Sequence, residues 1–318
     1  MARINLYMLI FKDMKKFLSK SFIFVILLVV IDNLIGHAFS SIHDKHFLNE
    51  KTSYIANKST DEVLVFGSSR ANRHYNASMI EDSLGMTCFN CGDDGMGIML
   101  AYARLLMCKE RKTPKLILYD FQHSFDIYEN DDSKCFTYLK LWKDRPYVSE
   151  IISAIDSKEQ VKLLSKMYMY NSSMLSYLKT YLLGLHINSI ENKGFFPVFG
   201  NIDSLNLMKK ENKVKVKPQT LNVDPLKREY LLRFIDECKD SKLVFIVSPT
   251  FSGLDEEVLE PIKQICAERH IIFLNFANCP KYLYQCKYFK DEGHLNSVGA
   301  DEYTKDMLKI LKKKVSIN

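Results

Sequence analysis

Val63-Leu64-Val65-Phe66-Gly67-Ser68-Ser69-Arg70 decides how this chain is read. Four apolar residues stop abruptly at a glycine and two hydroxyls. A run this short, bounded so sharply, suits a buried strand, and Gly67 allows a close backbone turn directly after it. Helix-forming sequence follows from Asn72 to Leu84, with Asn76 as a candidate N-cap. Ser69 is therefore expected at a strand-to-helix junction, where the N–H groups of a helix start can hold an anion. A lone Gly-Ser-Ser can also be a purely structural turn. What raises it is a second stretch near the other end of the chain, Asp291-Glu292-Gly293-His294-Leu295-Asn296. An Asp and a His three positions apart can supply the other members of a Ser-His-Asp triad.

Outward from that strand, elements alternate. Glu62–Phe66, Thr87–Asn90 and Lys115–Tyr119 read as strands. They are separated by the helix before Leu84 and by an amphipathic helix over Ile98–Lys112. The rhythm stops at Asp126 and resumes at Pro225. Leu226–Cys238 and Asp255–Arg269 then read as helices, Leu243–Val247 and Ile271–Asn275 as strands, and Ser297–Lys314 as the last helix. Five buried strands with intervening helices predict an α/β fold with a parallel sheet covered on both faces. The stretch 126–224 is expected as a mainly helical insertion, notably over Glu159–Leu185. Within it Lys209–Lys217 is basic, read as a solvated loop or as a surface for an anionic polymer or lipid head groups.

The N-terminus has a different character. Residues 1–20 carry Arg3, Lys12, Lys15, Lys16 and Lys20 against Asp13. Ser21–Phe39 then contains the unbroken apolar run Phe22–Ile31, close to the roughly 20 residues a helix needs to cross a bilayer. Asp32 and Asn33 weaken that segment. The preceding lysines put residues 1–20 in the cytoplasm, 21–39 across the membrane as a single-pass signal anchor, and the remainder outside. A cleaved signal peptide ending near Ala38-Phe39-Ser40 is the competing reading. Residues 40–60 are polar and read as a linker or a lead-in helix, with the catalytic domain spanning 61–318.

Composition narrows the function classes. The chain has 318 residues, 47% of them apolar and 26% charged, with a net charge of +6. That is ordinary for a folded protein, and the basic excess falls in the N-terminus and Lys209–Lys217. No aromatic-basic interleaving of an RNA-binding sheet appears, so nucleic-acid binding is not expected. Eight cysteines include Cys88-Phe89-Asn90-Cys91, but no second pair with zinc spacing follows, so no metal site is expected. In an exported domain Cys279 and Cys286 are a candidate disulfide pair. A redox role for Cys88 and Cys91 stands as a competing function.

Gly67-Ser68-Ser69, Asn90-Cys91-Gly92 and Asp291-Glu292-Gly293-His294, in this order with strands between, resemble the blocks of the SGNH (GDSL-like) hydrolase superfamily. The likeness covers roughly 61–122 and 242–311, and is to the membrane-anchored branch of cell-envelope acyl-transfer proteins. It implies a flavodoxin-like three-layer sandwich with sheet order 2-1-3-4-5, whose ligands bind beyond the carboxyl ends of the strands. It further implies Ser69 as nucleophile, His294 as base and Asp291 as its orienting acid. The oxyanion donors would be the N–H groups of Ser69 and Gly92, with no cofactor. Two departures matter. Ser68 stands where the family has Asp, a change found in envelope members. After the third strand Asp120-Phe121-Gln122-His123 lacks the family's oxyanion Asn, leaving Gln122 or Asn90 to substitute. Arg70 and Arg73 are either exposed first-turn residues or binders of a substrate carboxylate or phosphate. His123 reads as a core or interface histidine.

The expected function is transfer or hydrolysis of O-linked acyl groups on an envelope or exopolysaccharide carbohydrate. A membrane-bound O-acyltransferase is the expected protein partner. The alternative is a catalytically impaired polymer-binding accessory of such an enzyme.

Overall fold

The computed structural model describes residues 2–202 and 222–315, so the basic segment Lys209–Lys217 lies outside the described residues. In chain order the principal helices are α1 (Ala2–His46), α2 (Lys51–Asn57), α3 (Ser69–His74), α4 (Ala77–Leu84) and α5 (Ile98–Lys109). They continue with α6 (Pro146–Ile155), α7 (Met174–Leu182), α8 (Pro225–Glu237), α9 (Glu260–Glu268) and α10 (Ser297–Lys314). Two compact units emerge: Met1–Phe47 with Ser157–His186, and Leu48–Asp156 with Ile187–Asn318.

The larger unit holds one sheet. Its strands are β1 (Val63–Gly67), β2 (Cys88–Asn90), β3 (Leu116–Asp120), β4 (Lys242–Val247) and β5 (Ile272–Asn275). Every pairing is parallel and the order is β2-β1-β3-β4-β5, as expected. The alternate residues of each strand explain the unbroken apolar runs. Val63, Val65, Leu116, Leu118, Val244 and Ile246 pack on one face with Tyr303, Met307 and Leu311 of α10. On the other, Phe66 and Tyr119 meet Phe234 of α8 edge-on, at 5.5 and 5.1 Å between ring centroids. Both faces being covered, polar residues would have nowhere to alternate.

Several boundaries move. The stretch 72–84 holds the helix expected after Asn76, which caps α4 by accepting the Met79 N–H at 3.3 Å, and before it the end of a separate short helix, α3. The insertion is divided: 157–186 belongs to the unit of α1, while 126–156 and 187–202 belong to the sheet unit. The helical stretches expected over Glu159–Leu185 are a short helix at Glu159–Lys162, a 3-10 turn at Met167–Tyr170 and then α7. Residues 40–60 are largely helix, the end of α1 and then α2, whose start is capped by Glu50 through the N–H groups of Thr52 and Ser53.

In the smaller unit, α1 contains one stretch, Phe11–His46, long and apolar enough to cross a membrane. All ten residues from Phe22 to Ile31 are exposed. The two polar residues that weakened this segment have local answers. Asn33 donates to Val29 O at 2.8 Å. Asp32 accepts the Ser165 hydroxyl and the N–H groups of Lys166 and Met167, at 2.8 and 3.1 Å.

Candidate active site

Gly67 ends β1 with φ of +134°, and a Cβ there would lie 2.4 Å from Asp120 O. No other residue fits both conditions without strain. The chain then turns through Ser68, and Ser69 begins α3. Its backbone N–H, in the first turn, has no helical carbonyl to reach.

The loop before α10 brings the other two residues to it. His294 Nε2 lies 2.7 Å from Ser69 Oγ. Asp291 holds the opposite ring nitrogen, with Nδ1 at 2.8 Å from Oδ1 and 3.0 Å from Oδ2. A carboxylate at Nδ1 fixes the proton there and leaves Nε2 to accept from serine. Asp291 Oδ1 also accepts the N–H groups of Gly293 and His294, at 2.9 and 3.0 Å. Asn296 secures the loop's far end, accepting the Gly299 N–H at 2.9 Å and donating to Lys287 O at 3.0 Å.

Behind the triad runs a buried polar chain that the sequence did not reveal. Leu295, next to His294, donates its N–H to His74 Nε2 at 2.9 Å. His74 Nδ1 faces Ser248 Oγ at 2.9 Å, and Ser248 Oγ donates to Asp120 Oδ2 at 2.5 Å. Because Nε2 accepts, Nδ1 carries the proton, so donors point one way from the loop to Asp120. Burial, with His294 and Arg70 nearby, pushes His74 well below its ordinary value and keeps it neutral. Burial raises Asp120, against the opposing pull of Arg70 and Ser248.

The expected oxyanion donors fare differently. Asn90 is buried, and its amide nitrogen donates to Ala71 O and Tyr75 O at 2.7 and 3.0 Å. Its amide oxygen accepts the Gly92 N–H at 3.0 Å. Asn90 is therefore a strut beneath α3, and the Gly92 N–H is already taken. Neither stands as a free donor, because the side chain of one folds back on the backbone of the other. Gln122 fits better. Its amide oxygen accepts the Ser68 hydroxyl, which turns the NH₂ group away with no partner among the described residues.

Arg70 is not an exposed binder. It is buried, donates to Phe121 O at 2.7 Å and lies 3.9 Å from Asp120 Oδ1. Arg73 pairs with Asp94 and sits over the Phe196 ring at 5.6 Å. His123 is half-buried, and burial, with Arg70 nearby, pushes it down to about 4.

One helical turn along α3 from Ser69, Asn72 lines a cavity of about 460 Å³. Glu50, Lys51, Asp93, Tyr138, Asn192 and Phe196 also line it. Lys51 donates to Asn72 Oδ1 and Gly92 O at 2.8 and 2.6 Å, and burial pushes it down to about 8. Burial alone would raise Asp93, but Arg104 and Lys51 hold it below the ordinary carboxylate range. The loop 187–196 closes one wall, with Lys193 O accepting the Asn90 N–H at 2.8 Å and Asn72 O accepting the Phe196 N–H at 2.9 Å.

All eight cysteines are free thiols, so the expected Cys279–Cys286 bridge is not formed. Cys88 and Cys91 are buried, and burial raises both thiols well above their ordinary value. That is the opposite of what thiol exchange needs. No cluster of His, Cys, Asp or Glu suited to a metal occurs among the described residues.

No family model matches the chain, and no curated protein matches it. Among solved structures it is similar to a chain from Streptococcus pneumonia provisionally described as a platelet activating factor. The two share 12% identity at a TM-score of 0.34, over 89% of this chain and 99% of that one.

Proposed function

We propose that the protein is a membrane-anchored serine enzyme that moves or removes O-linked acyl groups. The observation that carries this is the contact between Ser69 Oγ and His294 Nε2 at 2.7 Å, with Asp291 on the far ring nitrogen. In the first step His294 takes the Ser69 proton as Oγ attacks the acyl carbonyl. Oxygen bears the negative charge, with the Ser69 N–H and the Gln122 NH₂ group as its donors. His294 then passes its proton to the leaving alkoxide, giving an acyl-Ser69 intermediate and a free hydroxyl. Water attacking that intermediate completes hydrolysis; a sugar hydroxyl completes transfer.

Carbohydrate suits the neighbouring cavity, whose volume falls within the range of small-ligand sites. Its lining mixes donors and acceptors with the rings of Tyr138 and Phe196. The side chains of Ser189 and Asn192 face it without partners among the described residues. Arg104 and Arg73 already neutralise Asp93 and Asp94. A hydroxyl both donates and accepts, so such a lining favours a sugar over an ion. With α1 crossing the membrane and its lysines inside, the active site would face outward.

A second reading has its own observation. With Gly92 and Asn90 committed elsewhere, the oxyanion site rests on fewer donors than the resemblance implies. That favours an impaired, polymer-binding accessory beside a membrane-bound O-acyltransferase. Covalent labelling by a fluorophosphonate separates the two. Labelling of wild type but not of Ser69→Ala is expected of the enzyme; no labelling of either would leave the accessory.

A further inference from the structure

We propose that the segment 157–186 is itself seated in the membrane, in the leaflet at the C-terminal end of α1. It lies in the same compact unit as that helix. Its inward side is well packed: Tyr177 stacks on Phe47 at 4.2 Å, Tyr170 on Phe39 at 5.5 Å, and His46 Nδ1 meets Leu185 O at 2.6 Å. Its outward side carries large exposed apolar side chains among lysines and small polar residues. Val161, Leu164, Leu175, Leu182 and Leu183 are 69, 80, 84, 76 and 61% exposed. On α7, Leu175, Leu178 and Leu182 recur at helical spacing on one face, while Tyr177 and Thr180 are buried on the other. Water would leave this surface as costly as the exposed run Phe22–Ile31 beside it in the same unit.

The register on α1 says which depth the segment occupies. In the span 21–39, Gly36 lies about one helical turn from the C-terminal end. Lys166 packs directly against Gly36, where an added Cβ would lie 2.4 Å from the Lys166 Cβ. The turn 161–167 therefore reaches the edge of the hydrocarbon, and α7, beside Phe39–Phe47, lies in the headgroup layer. Non-helical backbone survives at that depth only where its polar groups are satisfied. Here Asp32 accepts the N–H groups of Lys166 and Met167 and the Ser165 hydroxyl. An acid that weakens α1 as a span is thus what anchors the dipping turn. The cationic heads of the exposed Lys166 and Lys179 can reach the phosphate layer while their stems stay apolar. The occupant of the exposed face is lipid, continuous with the surface of α1.

The test is depth-dependent quenching on the full chain. Cys279→Ser and Cys286→Ser remove the two thiols that are not buried. Single cysteines then replace Leu164, Leu175, Leu182 and, as a control, the exposed Glu268 of α9. Each carries an environment-sensitive dye in vesicles of phosphatidylcholine and phosphatidylglycerol with brominated acyl chains. These side chains are exposed, so their replacement removes little packing. Quenching at positions 164, 175 and 182, deepest at 164 and absent at 268, is expected. Unquenched, water-exposed dye at all three positions would overturn the proposal. So would protection that appears in cell membranes but not in pure lipid, which would make the occupant a protein. Neither outcome depends on Ser69 chemistry.

Discussion

Leu295 donates its backbone N–H to Nε2 of His74 at 2.9 Å, across 221 positions of chain. The residue before it is His294, so the bond fixes where the His294 imidazole meets Ser69. Replacing His74 with Ala removes the side chain that, among the described residues, joins this loop to Ser248. An unsatisfied buried N–H costs about 1–3 kcal/mol. The expected result is a lower melting temperature and slower fluorophosphonate labelling of Ser69. His74→Gln, which keeps an acceptor, should restore part of the labelling rate. Full-rate labelling in His74→Ala would show that the loop needs no such tether.

The triad should behave as a unit. Ser69→Ala should abolish labelling, and His294→Gln should nearly do so. Asp291→Asn should slow it by roughly 10⁴-fold, because the amide stabilises the wrong imidazole tautomer. Equal rates in wild type and Asp291→Asn would place the orienting acid elsewhere.

Gln122 and Asn90 should separate by phenotype. Gln122→Ala should lower turnover of an acyl ester by about 10²–10³-fold, as loss of one oxyanion donor does, with the fold unchanged. Asn90→Ala should instead lower the melting temperature, since two buried carbonyls and one N–H lose their partner. A Gln122→Ala enzyme of normal turnover would remove this residue from the mechanism.

Asp126 predicts a pH effect on stability. Its carboxyl is buried, and burial raises it to about 7 against bonds from the Gln122 N–H and the Tyr119 hydroxyl. The folded state therefore holds a proton that the unfolded state releases near its ordinary value of 3.8. This group's contribution is present at low pH and is lost as pH rises from about 4 to about 7. Asp126→Asn, compared with wild type by thermal melting, should gain in relative stability between those two pH values. A difference that stays flat with pH would mean Asp126 is ionised in the fold.

Gly67→Ala tests the turn itself. The new methyl would meet Asp120 O at 2.4 Å while φ is held at +134°. A strained backbone of this kind costs on the order of 1–3 kcal/mol. Reduced stability and reduced labelling should appear together. An alanine variant that melts and labels as wild type does would show the turn to be relaxed.

What the sequence disclosed and what it hid follow one physical division. β1, β3 and β4 were readable because strands covered on both faces must be apolar throughout. The meeting of Ser69 with His294 and Asp291 was readable because a serine after a strand-ending glycine and a closely spaced Asp and His suggest one constellation, and Ser69 Oγ does lie 2.7 Å from His294 Nε2. The chain His74–Ser248–Asp120 was not, since each residue is unremarkable alone and all three meet only through folding. Asn90 misled for the opposite reason: its type fits an oxyanion donor, but its amide turns back onto Ala71 and Tyr75. The cap at Asn76 was legible from its residue type, whereas the separate α3 before it was not, since six residues are too short to show a helical period.

The loop 187–196 does more than wall a cavity. β2 is one of the two edge strands and only three residues long. Where it would offer an open row of amides, Lys193 O already occupies the Asn90 N–H. Gly194 lies so close that a Cβ would come within 2.1 Å of Asn90 O. A second chain adding itself to this edge would have to expel that loop first. Bare sheet edges recruit one another into aggregates, so these ten residues act as a stopper against uncontrolled self-association. Anyone excising 157–186 for solubility should end the excision before Ile187 and leave the stopper in place.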